Sequence, residues 1–341
     1  MFGTMTLPRR VIVDVDQARC YRLCSRCVRE AHLCGLDRDG NDYSHRRGWI
    51  REKLTTLSDI YAVDIISYDI TSRDLCIVAQ FRPDQVQRWD DLEVARRSLK
   101  LMPAATFPEA RRVKARLGET VSQKKLIAAL AKEEQWVEQQ RQRLRSPSWF
   151  MKDLKEPIAR SANAEDSTRG AFWEGRFKCI ALLDPAAVLA CCVYVDLDQV
   201  RLGLADSPEH CTFTSIADRL LARQGSVNGR AGPEDGLWLR RLELPPGADG
   251  DAVDLGVSAH EYLQLVLETG RRMRSQPAGR IDSSLDPILE RLKLNPKRWV
   301  AVMSQEQRFR GTGVGCAAAR REEAKRRQTS WVVGRSGVHL N

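Results

Sequence analysis

Residues 61–81, YAVDIISYDITSRDLCIVAQF, decide the fold of this 341-residue chain. Ile65, Ile66, Tyr68 and Ile70 on one side, and Ile77, Val78 and Phe81 on the other, read as two strands at roughly 61–70 and 73–82. Only a short turn near Thr71 and Ser72 separates them. So short a link joins antiparallel strands, since a parallel crossover needs about a dozen residues or more. Alternate residues of a strand share a face. Asp74 and Cys76 therefore point the same way, a carboxylate and a thiol at i and i+2 among apolar neighbours.

Upstream, residues 10–27 read as extended chain entering a first strand. A helix follows from about His45 to Ser58, with Trp49, Ile50, Leu54 and Leu57 at helical spacing. Downstream, WDDLEVARRSLKL (89–101) is a second helix, acids in its first turn and bases later, as the helix dipole favours. Residues 103–146 read as a polar helical insertion in which Ser122 can cap a helix. Ser146-Pro147 and Asp184-Pro185 each open a further helix, the first residue as N-cap and the proline at the first helical position. Between them FWEGRFKCIALL (172–183) is a loop entering a strand. The helix opened by Asp184 is predicted to run on to Gly203. This order predicts an α+β fold: a ferredoxin-like antiparallel sheet with helices on one face, built from residues 8–205 with 103–146 inserted. Residues 206–341 read as a mainly helical, basic extension, with a linker at 244–254.

Hydrophobic residues make up 43% of the chain and charged residues 29%, enough for a real core. No apolar run approaches the ~20 residues of a membrane span. The first residues lack a signal peptide's apolar stretch, so a cytoplasmic protein without a membrane partner is expected. Ten cysteines in such a chain are expected to be reduced and mostly buried. Cys20, Cys24, Cys27, His32 and Cys34 resemble zinc spacing only superficially, because Cys24 and Cys27 fall on opposite faces of a strand. The balance of 55 Lys+Arg against 45 Asp+Glu, a net +10, suits a polyanion such as nucleic acid. The bases cluster at 111–116, at Lys124 and Lys125, and at 141–145, 175–178 and 320–328.

Tyr194 and Asp198 lie four residues apart on the helix opened by Asp184, and Arg201 three further on. A phenol, a carboxylate and a guanidinium thus share one stripe. The same spacing also describes an ordinary amphipathic helix with an Asp–Arg pair and a half-buried tyrosine. Arg176 and Lys178 flank a strand start beside Trp173, a grouping suited to phosphate contacts and base stacking.

FWEGRFKCIALLD (172–184) followed by YVDLDQVRLGL (194–204) resembles the signature of REP-associated tyrosine transposases, members of the single-tyrosine HUH transposases. WFMKDLKEPIARSANAED (149–166) and SRCVREAHLCG (25–35) are similar to a longer bacterial branch of that family. The resemblance covers roughly residues 8–205. It implies a homodimer acting on single-stranded or hairpin DNA, with Tyr194 attacking a phosphodiester to leave a 5′-phosphotyrosine. It further implies Mg²⁺ or Mn²⁺ held by a His-x-His pair and a polar residue one turn after the tyrosine, here Asp198. Trp173, Arg176, Lys178 and Arg201 would hold the DNA. This chain departs from the pattern. Asp74 and Cys76 stand where the two histidines would be, Arg22 replaces a frequent histidine, and Asp198-Gln199 replaces Asn-Pro. Oxygen-preferring Mg²⁺ has little use for a thiol, whereas Zn²⁺ accepts both Asp and Cys. Two outcomes are therefore expected from the sequence: a DNA-cleaving transposase, or a hairpin-binding descendant without the metal site.

Overall fold

The computed structural model describes residues 8–28, 33–37, 39–101, 103, 106–118, 120–225, 237–243, 251–274, 285–305 and 309–334. Its strands are β1 (Arg19–Arg26), β2 (Val63–Ile70), β3 (Asp74–Phe81), β4 (Lys178–Leu182) and β5 (Gly313–Val314). Helix α1 (Arg9–Ile12) precedes β1, and α2 (His45–Ile60) links β1 to β2. Between β3 and β4 run α3 (Pro83–Arg88), α4 (Asp91–Leu101), α5 (Pro108–Leu117), α6 (Gln123–Leu130), α7 (Glu134–Leu144) and α8 (Pro147–Glu165). Then come α9 (Pro185–Asp196) and α10 (Asp198–Arg201). The last third contributes α11 (Ser215–Gly225), α12 (Ala259–Arg274), α13 (Asp286–Arg291), α14 (Pro296–Ser304) and α15 (Ala317–Arg326).

The α+β class is what the sequence predicts, and the helix starts follow their caps. Ser122, Ser146 and Asp184 each accept a hydrogen bond from the backbone N–H three residues on. The sheet order is β2-β3-β1-β4-β5. The first three pairings are antiparallel, but β4 pairs with β5 in parallel. The sheet is therefore mixed, because the last third of the chain lends it an edge strand. Of the expected linker at 244–254, residues 244–250 lie outside the described residues.

A second expectation is also corrected: helices cover both faces of the sheet. Tyr21, Leu23, Ile77 and Ala79 point into one core, which contains the inward faces of α2 and α8. Cys20, Cys76, Val78, Ile180 and Leu182 point into the other, around α9. Every residue of α9 from Ala187 to Asp196 is buried. A helix apolar on all sides has no face to offer water, so it must be enclosed, and α12 packs against it, as the sheet does. Nor does this helix run unbroken to Gly203. It is interrupted at Leu197 (φ −98°, ψ 7°), next to Asp196, whose buried carboxylate accepts hydrogen bonds from Ser215 Oγ, Ile216 N (3.0 Å) and Tyr262 Oη. Among the described residues no helix is long and apolar enough to cross a membrane.

Candidate functional site

Strand register lines up one row of side chains beneath α9. Asp69 of β2 is opposite Cys76 of β3, Cys76 is opposite Cys24 of β1, and Cys24 is opposite Lys178 of β4. A bulge between Ile65 and Ser67 adjusts β2 to this register. Ser67 donates its hydroxyl to the Cys192 carbonyl of α9 at 3.3 Å.

Above the row sits Tyr194, only 2% exposed. Its hydroxyl donates to the Gln305 carbonyl at 3.3 Å, and its ring packs against Phe309 with centroids 4.8 Å apart. The Arg201 guanidinium lies 3.6 Å from the ring centroid and that of Arg22 5.4 Å. Both arginines donate to backbone carbonyls of residues that cover the tyrosine. Arg22 donates to the Phe309 carbonyl (2.9 Å) and to Cys76 Sγ (3.5 Å). Arg201 donates to the Met303 carbonyl (3.1 Å), to the Tyr194 carbonyl (3.1 Å) and to Asp198. Met303, Gln305 and Phe309 thus close over the tyrosine. The i, i+3 Asp198–Arg201 pair seen in the sequence exists, but the tyrosine is fully rather than half buried.

The residues aligned with a metal site do not fit a divalent ion. Asp74 is paired with Arg26 Nε at 2.7 Å and with Arg73 Nε at 3.3 Å. Asp198 is neutralised by Arg201. Cys76 faces the Arg22 guanidinium and the Cys24 thiol, and the contact with Cys24, followed by burial, pushes its own thiol up. A further carboxylate in the row, Asp69, is fully buried, accepts a 2.7 Å hydrogen bond from Gln199 Nε2, and has no partner for Oδ2. Burial, then Asp198, lifts it well above the usual carboxylate range. Among the described residues no group of three or more His, Cys, Asp or Glu side chains is placed to hold a metal ion. Arginines, each hydrogen-bonded within the chain, carry the positive charge of this region.

The residues read as DNA-binding are dispersed. Arg201 is in the core. Lys178 is exposed, at the end of the row beside Cys24. Trp173 is 8% exposed and donates its indole N–H to the Lys155 carbonyl at 3.0 Å, which makes it an anchor of the opposite core. Arg176 is exposed and lines a hollow of about 370 Å³ on that same side, together with Arg9, Lys152 and Lys155. Glu156 is the one carboxylate among the lining residues. Burial, then Arg9, pushes Lys155 down to about 8, and burial, then Arg176, lowers Arg9.

Sequence reasoning missed Arg9, Lys152 and Lys155, because they come from α1 and α8, far from Arg176 in the chain. It missed Gln305 and Phe309 for the same reason. Asp69 carried a signal, a carboxylate in an apolar strand like Asp74, but only pairing reveals its place in the row. No protein-family model, curated protein or solved structure matches the chain.

Proposed function

We propose that this chain is a transposase-like DNA-binding protein that takes single-stranded or hairpin DNA, the hairpin-binding descendant of a single-tyrosine HUH enzyme. The observation that carries this reading is the hollow ringed by Arg9, Lys152, Lys155 and Arg176. Four cations against one carboxylate favour a chain of phosphates, whose binding would relieve the repulsion of Arg9 with Lys155 and Arg176. The order β2-β3-β1-β4 with antiparallel neighbours supports a ferredoxin-like sheet within the larger one, as the resemblance implies. Strand cleavage is the rival reading. It is disfavoured by the Tyr194 hydroxyl bonded to Gln305 and by the arginines paired with Asp74 and Asp198. The family habit also makes a second copy of the chain the expected partner, which light scattering would read.

A labelled hairpin oligonucleotide titrated on native gels across a salt series tests the proposal. Wild-type protein is expected to bind with a steep salt dependence. Arg9→Ala and Arg176→Ala should each weaken binding and lower the slope of log K against log salt by about one. Unchanged affinity and slope in both variants would remove the hollow from DNA binding. A covalent protein–DNA band on denaturing gels with Mg²⁺ or Mn²⁺, lost in Tyr194→Phe, would restore the cleavage reading.

A further inference from the structure

Cys24 and Cys76 face each other across β1 and β3 as register partners, with their sulfurs 2.6 Å apart. Directly opposed residues of an antiparallel pair have Cα atoms about 4.5–5.5 Å apart. That falls inside the roughly 4.4–6.8 Å that a disulfide spans. Bonding these two sulfurs therefore needs no rearrangement of the sheet. Their accessibility differs in a useful way: Cys24 is partly exposed, whereas Cys76 is 5% exposed. Among the other thiols, Cys20, Cys179, Cys191 and Cys192 are buried and each is pushed up by burial. Cys27 and Cys34 hydrogen-bond to each other but are both enclosed, at 1% and 2% exposure.

We infer that Cys24 and Cys76 form a dithiol modification site, which a small soluble disulfide such as oxidised glutathione converts into an intrachain cross-link between β1 and β3. The partly exposed Cys24 attacks first. Its thiolate, having released a proton, displaces one glutathione thiolate and leaves a Cys24–glutathione mixed disulfide. Cys76 then gives up its proton and displaces the second glutathione. The protein loses two protons and two electrons, and the reagent is reduced to two molecules of glutathione. The bond would lie under Arg22, whose Nη2 already touches Cys76.

The test uses the full chain incubated with oxidised glutathione, unfolded in urea, alkylated, digested without reduction and mapped by mass spectrometry. The expected result is a linked Cys24–Cys76 peptide pair and the loss of two alkylatable thiols from the ten. Cys24→Ser should leave Cys76 fully alkylatable. Three outcomes overturn the inference: a glutathione adduct that stays on Cys24 with Cys76 free, a link at Cys27–Cys34 while Cys24 and Cys76 remain alkylated, or no thiol lost. If Cys24→Ser fails to fold, the wild-type map decides alone.

Discussion

The two faces of the sheet are built to opposite ends. Around α9 the side chains with the most chemistry are withdrawn from solvent, Tyr194, Cys76 and Asp69 buried and Asp198 half-buried. Their hydrogen bonds run to the chain itself, to Gln305, Arg201, Arg22 and Gln199. On the other face Trp173 and Phe177 go inside, and the cations Arg9, Lys152, Lys155 and Arg176 are left around an open hollow. Reactive residue types mark the closed face, and plain charge marks the open one. Where a ligand can enter is thus decided by what the last third of the chain covers, not by which residues look catalytic.

Phe309→Ala is the sharpest way to break that contrast. The ring is 2% exposed and lies against Tyr194, so its loss should cost about 3–5 kcal/mol in urea unfolding. It should also make Tyr194 nitratable by tetranitromethane in the folded protein. Arg176→Ala, on the open face, should change stability by less than about 0.5 kcal/mol. Similar costs for the two variants would erase the distinction.

Glu323 supplies the next largest effect, because it ties α15 to β1 of the sheet. It accepts from Arg19 of β1 (2.7 Å), from Arg326 (2.7 and 2.9 Å) and from Arg327 (2.6 Å). Burial works to raise its pKa, but Arg326, Arg327 and Arg19 hold the carboxyl down at about 2. A depressed carboxyl contributes stability that is complete above about pH 4.5 and lost as pH falls toward 2. Glu323→Gln should remove about 2–3 kcal/mol at pH 7 and flatten the acid limb of the stability curve. An unchanged acid limb would show that the clasp contributes little.

The smallest effect belongs to Lys155 in the hollow. Burial and Arg9 bring it to about 8, so its charge is complete below that pH and lost above it. Hairpin affinity should fall roughly two- to fivefold between about pH 7 and 9, under about 1 kcal/mol. Lys155→Gln should abolish that dependence. A profile identical to wild type would place the DNA elsewhere.

Much of the scaffold was legible because its signals are local. Alternation wrote β2 and β3, and Ser122, Ser146 and Asp184 announced their helices with caps that the structure contains. The Asp198–Arg201 pair was readable for the same reason. The resemblance puts Asp74 at a metal-ligand position, and only register discloses that Arg26 is its cross-strand partner. The cover over Tyr194 was not legible: more than a hundred residues intervene, and nothing in the pattern near either end encodes the meeting. The all-round apolar surface of α9 could have warned that the tyrosine helix was a buried one.

The cover also imposes an order of events in time. Met303, Gln305 and Phe309 emerge from the ribosome well after Tyr194. At about 5–20 residues per second that leaves an interval of roughly 5–20 s. During it a nascent chain can pair β1 to β4 and place α9 while the tyrosine hydroxyl still faces water. β5 and the Glu323 clasp come later still, and they join the end of the described chain to its beginning. Any encounter that needs the bare phenol has its natural opportunity before synthesis is finished.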